Sequence, residues 1–179
     1  MQKNFKNDLD TKYNDIFKNL YIQWKLQSKK KYEELQSNGL ANSGVGSKSM
    51  YILMEELINK AICDLQQLFN NLPTKYNKKI SFKDLDEYKE KTAENIDEHI
   101  NNMEKELKSE YKNNGLFTNE SNAISLNSLR GNSKNKIDKL FDEITNLRKG
   151  KKKQGILITM ISLLIGIASL AVGIIGILK

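Results

Sequence analysis

His99 is the only histidine and Cys63 the only cysteine of this 179-residue chain, and together they bound the chemistry available to it. A structural zinc site takes four convergent ligands, and a catalytic one takes three plus an open position. One imidazole and one distant thiol do not supply either, although Asp97, Glu98 and Glu104 lie near His99 in sequence. Nucleophilic catalysis needs a Ser, Cys or Thr beside a base that is itself oriented by a third group. No such arrangement can be argued here, and acidic runs such as Asp84 to Glu90 have the spacing of a solvated helix face. The expectation is no metal, no cofactor and no enzyme. His99 reads as a surface or boundary residue beside a helical seam, and Cys63, within an apolar helical run, as a small core residue. A lone cysteine makes no intrachain disulfide, which fits a reducing cytosol.

The stretch SGVGSKS, Ser43 to Ser49, is the nearest approach to a phosphate-binding loop. A P-loop places its lysine directly after the last glycine and follows a buried strand. Here Ser47 separates Gly46 from Lys48, and the preceding Tyr32 to Gln36 is polar and helical. Only weak anion binding at a helix N-terminus remains open. LPTK, Leu72 to Lys75, faintly resembles a wall-anchoring signal, but it does not sit just before a C-terminal span as such signals must.

The strongest physical signal is at the other end of the chain. Ile156 to Leu178 is 23 residues without a charge. As a helix it is roughly 34 Å long at about 1.5 Å per residue, enough to cross a hydrocarbon core of about 30 Å. An isolated segment in lipid must be helical, because only helices and closed barrels satisfy their own backbone. Arg148, Lys149, Lys151, Lys152 and Lys153 precede the segment and only Lys179 follows it. Positive flanks stay cytoplasmic, so the long N-terminal part is expected in the cytosol, with the C-terminus at the far face. The polar opening MQKNFKNDLD has no apolar core and does not read as a signal peptide. The layout is that of a single-pass tail anchor.

Charge supports the same division. The net charge is +7, but Arg148–Lys153 and Lys179 hold six of the 29 Lys and Arg residues. The remaining 23 nearly balance 22 Asp and Glu. Nucleic-acid binders concentrate basic residues on one face, so no nucleic-acid partner is expected. The basic cluster reads as a topology signal that also touches anionic lipid headgroups, each residue contributing about 1 kcal/mol.

Gly155, Thr159, Ser162, Gly166, Ser169, Gly173 and Gly176 recur at alternating steps of four and three, so they share one face. In lipid, close backbone approach at small residues drives helix association, and a 3.5-residue period predicts left-handed crossing. Self-association into a homo-oligomer through this stripe is the simplest expectation.

The rest of the chain must position this tail. Phe5, Leu9, Tyr13, Ile16, Leu20 and Trp24 lie on one face of a helix over about 3–36. Ser37 to Lys48, with three glycines and three serines, reads as a linker. A second helix over 49–72 carries a wide apolar stripe from Leu53 to Leu72, which demands cover from two neighbours. A third helix over 82–112 opens at a Ser81/Asp84 capping box. It carries a narrow seam of Ala93, Ile96, Ile100, Met103 and Leu107. Glu87/Lys91 and Glu104/Lys108 are favourable pairs on it. Residues 113–133 read as an Asn/Ser-rich linker in which Leu126 and Leu129 could dock weakly or form a short helix. Residues 134–154 read as a juxtamembrane helix with the basic cluster, with Ile137, Leu140, Phe141, Ile144 and Leu147 on one face and possible joints at Gly150 and Gly155. The segment 155–179 is the transmembrane helix.

The fold class is therefore all-α: a small cytosolic helical domain over 1–112, a bundle or coiled-coil-like set of three to four helices, plus one C-terminal membrane helix. The layout resembles that of syntaxin-type fusion proteins, but those carry a long heptad motif beside the membrane, where this chain has a helix of 15 residues, Lys134 to Arg148. Two functions fit: an interaction module that tethers partners at the cytosolic membrane face, or an oligomerising effector (a toxin, holin-like or defence protein) that permeabilises the bilayer; a third, a membrane-held enzyme, has no supporting constellation.

The stripe generates a direct test. Gly166→Leu or Gly173→Leu is expected to weaken self-association in a membrane two-hybrid assay, because bulk on the small face separates the backbones. Leu164→Ala, off that face, is expected to have a smaller effect, and equal effects from all three would show the stripe to be accidental.

Overall fold

A helix that begins at residue 82 needs partners for its first amide groups, and Ser81 and Asp84 supply them reciprocally. The Asp84 amide donates to Ser81 Oγ at 3.0 Å, and the Ser81 amide donates to Asp84 Oδ2 at 2.7 Å. This is the expected capping box, closed by the shorter acid. The computed structural model describes residues 2–72, 80–110 and 126–150. They form four helices, with no strand among the described residues: α1 Gln2–Ser37, α2 Gly44–Asn70, α3 Phe82–Glu110 and α4 over 126–150. The chain divides into two compact units, Met1–Phe141 and Asp142–Lys179.

In the first unit the connection between α1 and α2 is shorter and more ordered than a flexible linker. Gly39 adopts φ 68°, a conformation that only glycine reaches without strain. Its amide donates to Gln36 O at 3.0 Å, and that of Leu40 reaches back to Leu35 O at 2.8 Å. That pair of bonds is a Schellman stop, which ends α1 and turns the chain. Ser43 then caps α2, its hydroxyl accepting from the Gly46 amide at 3.2 Å. Gly44 and Gly46 are thus helical, five and three residues ahead of the expected start at residue 49. Helix-weakening glycines disguised a good cap.

The cross-helix contacts fix the directions. Lys6 meets Asp84, Asp10 meets Tyr88, Tyr13 meets Thr92 and Trp24 meets Glu106, at sequence separations of 78 to 82. A nearly constant separation makes α1 and α3 parallel. Helix α2 must run back between them. Lys89 pairs with Asp138 and Asp97 with Arg130, so α4 is antiparallel to α3. Up to Phe141, the unit is an up-down-up-down bundle. The wide stripe of α2 is buried as expected, with Met54, Ile58 and Leu65 fully covered. Three helices cover it rather than two, since Phe69 touches rings on both α3 and α4. The α3 seam holds from Ile96 to Leu107, while Ala93 is only half-buried.

Two expected features differ. Helix α4 is already formed at residue 126, ahead of the expected 134, because the buried side chains Leu126, Leu129 and Ser133 continue its inner face backward at helical spacing. The intervening Asn, Ser and Gly residues hid that stripe in the sequence. Cys63 is exposed on α2 rather than in the core, since it points away from the face formed by Ala61, Ile62 and Leu65. In the second unit the described residues 142–150 are helical, with Ile144 buried and Leu147 exposed. Leu147, expected on the apolar face, is thus exposed, and Gly150 is the last described residue and is helical.

Gly46 and Ser47 yield a test of opposite signs at adjacent positions. A Cβ at Gly46 would lie 2.4 Å from Leu40 O and 3.1 Å from Ala41 O, both backbone atoms, whereas one at Gly44 would meet nothing. Gly→Ala inside a helix normally stabilises by about 1 kcal/mol. Gly46→Ala is instead expected to destabilise by about 1–3 kcal/mol through overpacking against rigid backbone, with Gly44→Ala as the unclashed control that does not destabilise. Ser47 is buried and its hydroxyl has no partner among the described residues. Ser47→Ala is expected to stabilise by about 1–2 kcal/mol by removing an unsatisfied polar group. Urea midpoints of the full-length variants measure all three.

Candidate functional site

Tyr13 and Trp24 are almost completely buried, at 0% and 1% exposure, and a buried phenol or indole must find a hydrogen-bond partner. Both find it on α3. Thr92 donates its only hydroxyl proton to Tyr88 O at 2.6 Å. The Tyr13 hydroxyl must therefore be the donor in its 3.1 Å bond with Thr92 Oγ1. Asn95 Nδ2 in turn donates to Tyr13 Oη at 3.2 Å. One turn below, the Tyr88 hydroxyl donates to Asp10 Oδ1 at 2.6 Å. Three turns above Tyr13, Trp24 Nε1 donates to Glu106 Oε2 at 2.9 Å, and Lys25 pairs with the other oxygen at 2.8 Å. Lys91, expected to pair with Glu87, reaches instead toward Asn14 and sits 4.8 Å over the Tyr13 ring.

The electrostatics make this seam a poor acid–base device. Burial raises the Tyr13 pKa above 10.0 despite the opposing hydrogen bonds from Thr92 and Asn95. Burial and then the Asp10 carboxylate raise that of Tyr88 further. Tyr51, desolvated and facing Glu104, is pushed up to about 12. A general base is most effective when poised near the working pH, and these phenols are held protonated. Their chemistry is that of fixed hydrogen-bond donors.

The other candidates are likewise accounted for by packing. His99 Nδ1 donates to Asn95 O at 2.8 Å, an i to i−4 bond on α3, and its ring lies 5.6 Å from that of Phe17. It is half-buried beside the seam, as its position relative to Ile96 and Ile100 predicted. No group of three or more His, Cys, Asp or Glu side chains suited to a metal ion occurs among the described residues. At Ser43–Ser49 the Gly46 amide is taken by the Ser43 hydroxyl and the Ser47 amide by Ser43 O. Leu40 O crowds Gly46 from outside. A capped helix stands where a phosphate cradle would have needed open amides.

On the α3–α4 side, Arg130 gathers three partners. Its Nε lies 2.9 Å from Asp97 Oδ1, and its Nη2 lies 2.6 Å from Asn101 Oδ1 and 3.5 Å from Glu104 Oε2. With Lys134 it borders a cleft of about 160 Å³ floored by Ile96, Ile100 and Ile137. Between α1 and α2 a larger groove of about 470 Å³ is lined by Phe5, Ile16, Leu68 and Leu72, with Asp8, Lys12 and Asp64 beside them.

Of the expected membrane-surface cluster, Arg148 is half-buried and Lys149 exposed on the last turn of the described α4. Lys151, Lys152 and Lys153 lie outside the described residues, as do all seven positions of the small-residue stripe, Gly155 to Gly176. Among the described residues no helix is long and apolar enough to cross a membrane. The expected span lies beyond them. Sequence reasoning missed the Tyr13–Thr92–Asn95 group and the Arg130 cluster. Apart from Tyr13, each member is a common surface residue by type, and the partners lie 26 to 82 positions apart.

Two outcomes follow from this geometry. Tyr13→Phe leaves the Asn95 amide and the Thr92 oxygen without their shared partner, and is expected to cost about 1–2 kcal/mol in urea unfolding. Asp84 has its pKa lowered below 3.8 by the Ser81 hydroxyl and amide first and by Lys6 after them. Folding thus favours the carboxylate over its protonated form. Its contribution is complete above pH 3.8 and is lost as pH falls from there through the lower folded value. Asp84→Asn is expected to be less stable than the parent at neutral pH, with the gap closing below pH 3.8 in pH-dependent thermal unfolding. No protein-family model, curated protein or solved structure matches this chain, so its own residues must carry any functional assignment.

Proposed function

We propose that this protein is a membrane-tethered helical interaction module, not an enzyme. The uncharged run Ile156–Leu178 spans the bilayer, the cluster Arg148–Lys153 rests on anionic headgroups, and the helical bundle is displayed on the cytosolic side. The observation that carries this reading is the juxtaposition of 23 uncharged residues with five basic ones immediately before them. Helix α4 supports it. It is unbroken through Gly150, and extending an existing helix avoids the cost of a new nucleus. The bundle supports it as well, because the Tyr13 and Tyr88 phenols and the Trp24 indole are engaged in bonds between helices, and His99 is bonded within α3. The tails self-associate through Gly155, Thr159, Ser162, Gly166, Ser169, Gly173 and Gly176. Other protein partners would meet the bundle surface.

The hydroxyls of Thr159, Ser162 and Ser169 favour one competing reading, since they share a face that could line a water-filled path. If that face packs helix against helix, the remaining surfaces are Ile and Leu and exclude water. The tether reading predicts that full-length protein stays in the membrane pellet after alkaline carbonate extraction, and that deleting 156–178 releases it. It also predicts no release of a small dye from liposomes at protein-to-lipid ratios where insertion is complete. Appearance of the full-length protein in the carbonate supernatant would overturn the membrane assignment. Rapid dye release that is abolished by Ser162→Leu and Ser169→Leu would replace the tether with a permeabilising effector.

A further inference from the structure

No further inference is drawn: the strongest candidate, the groove of about 470 Å³ between α1 and α2 lined by Phe5, Ile16, Leu68 and Leu72, is an apolar face for which nothing in the structure shows what covers it.

Discussion

The need to satisfy a fully buried tyrosine sets the register of this bundle. Tyr13 is sealed from solvent, and leaving its hydroxyl unpaired would cost about 1–3 kcal/mol. Its partners, Thr92 and Asn95, occupy one turn of α3. Sliding α1 along α3 by one turn, about 5.4 Å, would break that group. The same slip would separate Tyr88 from Asp10 and Trp24 from Glu106. Apolar surfaces tolerate small slips because dispersion and burial are non-directional. Three directional contacts along one seam do not, so the polar atoms choose among packings that the apolar residues alone would allow.

The same residues also tie the helices together laterally. Phe17 contacts Tyr13, which contacts Tyr88, then Phe69, then Phe141, at centroid separations of 5.1 to 5.3 Å. That path visits α1, α3, α2 and α4, with tilted or edge-on ring geometry throughout. Such pairs contribute about 0.5–1.5 kcal/mol each beyond area burial. The charged links between helices, Lys89 to Asp138 and Arg130 to Asp97, are partly exposed. Exposed ion pairs of this kind contribute about 0–1 kcal/mol, so they select orientation more than they stabilise. The buried apolar side chains carry the cohesion of the unit, and the aromatic path and the buried hydroxyl group add to it.

This allocation of residues bears on function. Side chains that could serve acid–base chemistry are placed where their protons are committed. Thr92 caps a backbone carbonyl, Tyr13 and Tyr88 donate to fixed oxygens, and His99 uses Nδ1 within its own helix. Among the described residues the bundle opens a groove on one pair of helices and a cleft with a charged rim on another. Neither holds a convergent set of reactive groups.

The sequence by itself determined the helical class, because apolar residues at steps of three and four repeat through each segment and proline occurs once. It determined the Ser81/Asp84 cap and most of the inner faces of α1, α2 and α3, since these are local patterns read within a few residues, but on α1 the buried position is Phe17, while Ile16 and Phe5 are only half-buried. It also contains the uncharged run after Arg148–Lys153, a matter of composition that needs no tertiary partner to be read. It misled where composition masked geometry. Glycines at 39, 44 and 46 suggested a loose linker, yet one makes a Schellman stop and two lie inside a capped helix. Asn and Ser around Leu126 and Leu129 suggested a linker where α4 already runs. Tertiary structure alone decided that Tyr13 meets Thr92, that Trp24 meets Glu106 and that Arg130 gathers Asp97, Asn101 and Glu104. The physical reason is that hydrogen bonds between helices depend on which turn faces which. Only the packed bundle sets that relation for residues far apart in the chain.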